Sequence, residues 1–127
     1  MAGILKLIFQ FSILLLIIIS LYPGSLLGLL FYGDLSIQPT LIKNPFGGAI
    51  NHFISYFLIS IFGFILYFKS KKFKRVFYSL LVLSVSLEVL QLLIPDRTYE
   101  TYDLFANILG VALAYFAIKI YLSFKQQ

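Results

Sequence analysis

A small set of polar residues carries whatever chemistry this sequence holds. His52 is the only histidine, and Tyr56 follows it at i+4. Glu88 is followed at i+3 by Gln91, and Asp103 at i+4 by Asn107, with Arg97 between the two pairs. On helices each of these spacings puts both members on one face. An imidazole and carboxylates are groups that exchange protons in general acid–base catalysis, so Glu88, His52 and Asp103 are the candidate catalytic residues. Arg97, Gln91, Asn107 and Tyr56 are the candidate ligand-binding residues. A guanidinium matches an anionic group, and amide and phenol side chains orient a polar one. No metal and no cofactor is expected. The chain has no Cys, which removes thiolate ligands and a cysteine nucleophile. One histidine with a few carboxylates is thin for a metal site, and no serine-centred triad is visible.

Each residue also has a plainer assignment. Asp103 can cap a helix N-terminus, where a carboxylate suits the dipole. His52 can sit at the membrane interface. Gln91 and Asn107 can bridge helices by hydrogen bonds, and Glu88 can form a buried ion pair with Arg97 or His52 that fixes packing.

The elements that must position these residues are membrane spans. Hydrophobic residues make up 61% of the 127 and charged residues only 12%, about half the charge of a soluble domain. A water-facing surface cannot be built from so few charges. A spanning helix needs about 20 mostly apolar residues, and four stretches qualify: 4–22, 52–68, 76–94 and 103–124. The expected fold is all-α, a single integral membrane four-helix bundle over residues 1–127. The first apolar stretch is too long for the core of a cleaved signal peptide and is read as a retained helix. Pro23-Gly24 divides it, and the path of residues 23–51 beyond that break stays open: Gly24 to Tyr32 either continues the helix or turns along the interface.

Charge sets the direction. With the N-terminus inside, Lys6, Lys69, Lys71, Lys72, Lys74, Arg75, Lys119 and Lys125 fall on the cytoplasmic side and only Lys43 and Arg97 outside. That bias satisfies the positive-inside rule and puts both termini in the cytoplasm. The run Lys69 to Arg75 then reads as a topogenic loop touching anionic lipid, and the positive net charge does not indicate nucleic acid. Glu88 comes out roughly 10 Å below the outer end of its helix. His52, Gln91, Arg97, Asp103 and Asn107 come out in the outer third of the bilayer or just above it. A carboxylate at such a depth faces the bundle interior or water, so these faces are expected to converge on one polar pocket open to the outer surface. Ala106, Gly110 and Ala114 repeat at i+4, a small-residue stripe suited to close helix packing.

The order His52-x-x-x-Tyr56, Glu88-x-x-Gln91, Arg97 and Asp103-x-x-x-Asn107-x-x-Gly110 resembles a VanZ-like membrane protein, over a core of about residues 48–115. The resemblance implies a multi-pass protein of the bacterial inner membrane and cell envelope, in a family named for low-level resistance to the glycopeptide teicoplanin. Family members often carry an acid just before the histidine. Here residues 44–51 hold none, which counts against a catalytic His52. The first functional expectation is therefore a membrane protein whose outer pocket binds a lipid or cell-wall-related headgroup and influences glycopeptide sensitivity. The alternatives are a small accessory subunit packed against other membrane subunits, and an enzyme acting on a lipid headgroup through Glu88, His52 and Asp103. Membrane lipids are partners in every case.

Overall fold

The computed structural model describes residues 2–125. Every regular element among them is helical: α1 (Ala2–Leu21), α2 (Leu26–Tyr32), α3 (Ala49–Tyr67), α4 (Phe73–Leu90) and α5 (Thr101–Lys125). All but α2 are long and apolar enough to cross a membrane. In hydrocarbon a span must satisfy its backbone hydrogen bonds internally, so an apolar run of this length has the helix as its available form. The helices begin two or three residues earlier than the apolar runs suggest, because Ala49, Phe73 and Thr101 still fit the first turn.

The break after α1 resolves into a separate short helix. Pro23 cannot continue the ladder of α1, and Gly24 takes φ +73, in the left-handed region that glycine occupies without strain. Ser25 then caps α2, its hydroxyl accepting from the Gly28 N–H at 3.0 Å. Gly33 closes α2 in the left-handed conformation. The seven residues of α2 are far too few to span. The chain after it returns across its own path: the Ser25 N–H donates to the Leu35 carbonyl at 2.7 Å. A Cβ on Gly28 would stand 1.9 Å from the Ile37 carbonyl oxygen, so only glycine allows α2 to lie on this returning segment.

The core lies between α3, α4 and α5, where Tyr56, Phe64, Leu80, Val111, Ala114 and Ile118 form one buried cluster. The small-residue stripe on α5 meets α3 at Gly110. A Cβ there would stand 2.8 Å from the Phe53 carbonyl oxygen and 3.0 Å from the Phe57 nitrogen, both backbone atoms. Toward the lysine-rich end, Phe64, Phe73, Phe77 and Tyr115 pack ring on ring, Phe77 and Tyr115 with centroids 4.3 Å apart. These rings fill the bundle at that end. α1 is peripheral. Only 6% of its apolar window is buried, against 28–33% for the other three spans. Phe9 is its anchor, with the ring edge pressed onto Gly63.

α4 tightens into a 3-10 turn at Gln91–Leu93. Ile94 is then extended, as a residue before proline prefers to be. Asp96 takes φ 59, a conformation that Asp tolerates better than most residues. This turn swings Arg97 back toward the end of α1.

Candidate functional site

The first turn of α3 carries His52. The end of α4 carries Glu88, and the first two turns of α5 carry Asp103 and Asn107. The close α3–α5 approach permitted by Gly110 brings these side chains together. Glu88 and Asn107 are each 1% exposed, so neither has bulk water to satisfy it. His52 Nδ1 lies 3.1 Å from Asn107 Oδ1 and 3.8 Å from Glu88 Oε2. Its Nε2 lies 3.4 Å from Asp103 Oδ2. Asn107 Nδ2 donates to Glu88 Oε2 at 3.2 Å, and the Glu100 backbone N–H donates to Glu88 Oε1 at 3.5 Å.

The network assigns the protons on His52. Asn107 has its amide nitrogen committed to a carboxylate, so its oxygen faces His52 and can only accept. Nδ1 therefore carries a hydrogen. Nε2 faces a carboxylate oxygen, so the His52–Asp103 contact closes only with one proton between them, on imidazole or on carboxyl. The second Asp103 oxygen, Oδ1, is buried without a hydrogen-bond partner among the described residues. The imidazole is thus oriented from across the bundle by Asp103, Asn107 and Glu88. Asp103 faces His52 and makes no N-terminal cap hydrogen bond among the described residues.

Gln91 and Arg97 do different work. α1 ends at Leu21, which leaves its last carbonyls without intrahelical donors. Arg97 Nη2 donates to the Ile19 oxygen at 2.6 Å and Nε to the Tyr22 oxygen at 3.0 Å. Gln91 Nε2 donates to the Ser20 oxygen at 3.1 Å. A guanidinium at a helix C-terminus also offsets the negative end of the dipole. Arg97 makes no ion pair with Glu88 or Asp103 among the described residues. Burial holds its guanidinium below the usual arginine range, and the charges of Glu88 and Asp103 oppose that shift.

The two clusters face one cavity of about 90 Å³, enclosed by the end of α1, by α2 and by the start of α3. His52, Tyr56, Gln91 and Arg97 line it, with Ser25 and Asn51. Leu16, Ile19 and Leu26 supply apolar wall. Its volume is several times the roughly 10–15 Å³ that one water requires. Asn51 holds the loop over it, donating to the Pro39 carbonyl at 2.7 Å and accepting from the Leu41 N–H at 2.8 Å. The Tyr56 hydroxyl is buried beside the cavity with no partner among the described residues. Glu88, Asp103 and Asn107 stand behind His52 and do not line the cavity.

All the residues singled out from the sequence therefore meet at one end of the bundle, but in two layers. Sequence reasoning missed Ser25, Asn51 and the carbonyls of α1. The signal for the last of these was present: a helix stopped by Pro23 leaves carbonyls that need donors, and Gln91 and Arg97 are the donors at that depth. No group of three His, Asp or Glu side chains suited to a metal ion occurs among the described residues.

No curated protein and no solved structure matches the chain. A family model does match, over residues 9–122, a span that holds α2–α4 whole and most of α1 and α5. With its membrane-spanning helices and this site, the chain belongs to the VanZ/LLP1 family.

Proposed function

We propose that this protein sits in the bacterial inner membrane with its lysine-rich end and both termini in the cytoplasm, and that it holds the polar headgroup of a lipid-linked or cell-wall-related molecule in the cavity under α2. The observation that carries this reading is the position of His52. Among the described residues it is the one side chain that both lies within 4 Å of the buried carboxylates and lines the cavity, and it is 21% exposed while Glu88 is 1% exposed. A group entering the cavity meets an imidazole already oriented by Asn107 and Asp103. Such preorganisation lowers the ordering cost of binding. Arg97 lines the same space with Nη1 donating to none of the described residues, which suits an anionic oxygen. Occupancy at the outer surface by an envelope precursor is the route by which the protein would influence glycopeptide sensitivity.

The test is native mass spectrometry of protein released from its own membrane in mild detergent. The expected result is a co-purified lipid-linked species on the native protein that is lost from His52→Ala, with a matching change in teicoplanin sensitivity when the two versions are compared in cells. Bare native protein and unchanged sensitivity would contradict the reading. A second reading, an enzyme acting on the headgroup, is favoured by the 3.4 Å approach of His52 Nε2 to Asp103 Oδ2, a pair of groups suited to proton exchange. In that case Glu88→Gln and His52→Gln would accumulate bound ligand without turnover.

A further inference from the structure

A second cleft opens at the opposite, lysine-rich end of the bundle, between α1 and α4. Its volume is about 260 Å³, larger than the cavity beside His52. The walls are apolar where α1 and α4 face each other, through Phe9, Ile13, Val76 and Leu83. At its mouth stand Lys72 and Arg75, three residues apart at the start of α4 and so on one face. From Lys72 to Leu83 the cleft follows α4 for roughly 16 Å, about half the thickness of the hydrocarbon core.

Charge at this mouth is unbalanced. The five acidic residues are Asp34, Glu88, Asp96, Glu100 and Asp103, and none lies at this end. Neither Lys72 nor Arg75 has an ion-pair partner among the described residues, and both are exposed. The first turn of α4 carries no acid to offset its dipole, so the positive end of the helix adds to the two side chains. Lys6 lies close by, its Nζ 6.0 Å from the ring centre of Tyr67, which also lines the cleft. An apolar slot that runs to mid-membrane, closed at its water end by unpaired cations, has the shape and charge of a phospholipid with an anionic head.

We propose that the α1–α4 cleft is a binding site for an anionic glycerophospholipid of the leaflet at the lysine-rich end, with one acyl chain between Phe9 and Leu83 and the phosphate between Lys72 and Arg75. This site is separate from the cavity beside His52 and carries no part of the proposed headgroup function. The lipid would fill the space that the peripheral α1 leaves against α4. The charged contact would make α1 docking depend on the lipid present.

Native mass spectrometry of the full chain, titrated with phosphatidylglycerol or with phosphatidylcholine of the same acyl chains, tests it. Two cations near the surface correspond to about thirty-fold tighter binding of the anionic lipid. Lys72→Gln with Arg75→Gln is expected to remove most of that preference. Ser79→Phe, which puts a ring into the cleft and leaves every charge in place, is expected to weaken both lipids. Lys69→Gln with Lys71→Gln, in the exposed loop outside the cleft, is expected to keep the preference. Equal affinity for the two lipids would overturn the proposal. So would an equal loss in the two double-glutamine variants, which would mean diffuse attraction by the loop, or unchanged binding in Ser79→Phe. His52→Ala leaves this titration unchanged, so failure here and failure of the headgroup reading are separate results.

Discussion

The Nη2 of Arg97 donates to the carbonyl oxygen of Ile19 at 2.6 Å, which ties the α4–α5 turn to the end of the first span. With the Nε bond to Tyr22 and the Gln91 bond to Ser20, three side-chain hydrogen bonds serve one helix end. Bonds to a charged donor contribute more than neutral ones, so Arg97→Ala is expected to cost about 2–3 kcal/mol. Arg97→Lys should recover only part of it, because an ammonium lacks the planar fork. Thermal unfolding in mild detergent reads the loss, and hydrogen exchange at Ile19–Tyr22 should rise before exchange in α3 or α5.

Gly110 sets the distance between the helices that carry His52 and Asn107. A methyl group there meets the backbone of Phe53 and Phe57, which cannot move aside as a side chain can. Gly110→Ala is expected to destabilise by about 1–3 kcal/mol, the usual range for overpacking. Gly3→Ala, in α1, meets nothing within 4 Å and should be neutral to slightly stabilising, because alanine is the better helix former. The contrast, read as the midpoint of thermal unfolding of the two variants side by side, checks that the cost arises from contact and not from composition.

Because His52 is the only histidine, its ring nitrogens give a spectrum free of overlap. The network predicts a hydrogen on Nδ1, held by Asn107. In ¹⁵N-resolved NMR the Nδ1 site should be protonated in the native protein. Asn107→Leu should abolish that preference and leave Glu88 Oε2 without its buried donor, at a stability cost of about 1–3 kcal/mol. An unchanged Nδ1 signal in Asn107→Leu would remove Asn107 from the account.

Gly28 bears on the cavity roof. With a Cβ 1.9 Å from the Ile37 carbonyl and 2.6 Å from that of Asp34, α2 must lift from the returning segment. Gly28→Ala should leave the α3–α5 core intact, because α2 is not part of it, but lower the amount of ligand retained through purification.

The spans, and the placing of the polar residues at one end of the bundle, were readable from the sequence for one reason: bilayer thickness converts residue count into position along a helix. Once Glu88 is seven positions before Pro95 and Asp103 opens the next span, both must lie near the same surface. Their partners were less accessible. Arg97 read as a free cation aimed at an anion, because residue type alone does not show that backbone carbonyls are its acceptors. The segment 23–51 gave no periodic signal. Its course depends on Ser25 and Asn51 bonding to backbone atoms 10 to 12 residues away, and on Gly28 leaving room for the backbone of Ile37, which a local pattern does not record.

The central claim is that the space beside His52 receives a polar headgroup. The most direct measurement is an electron density map of the protein in a nanodisc of its native lipids, at a resolution that shows bound headgroups. The account predicts non-protein density bounded by Ser25, His52 and Arg97, continuing as a chain out past α2. A cavity holding only ordered water, with Arg97 Nη1 turned onto Glu88, would contradict it.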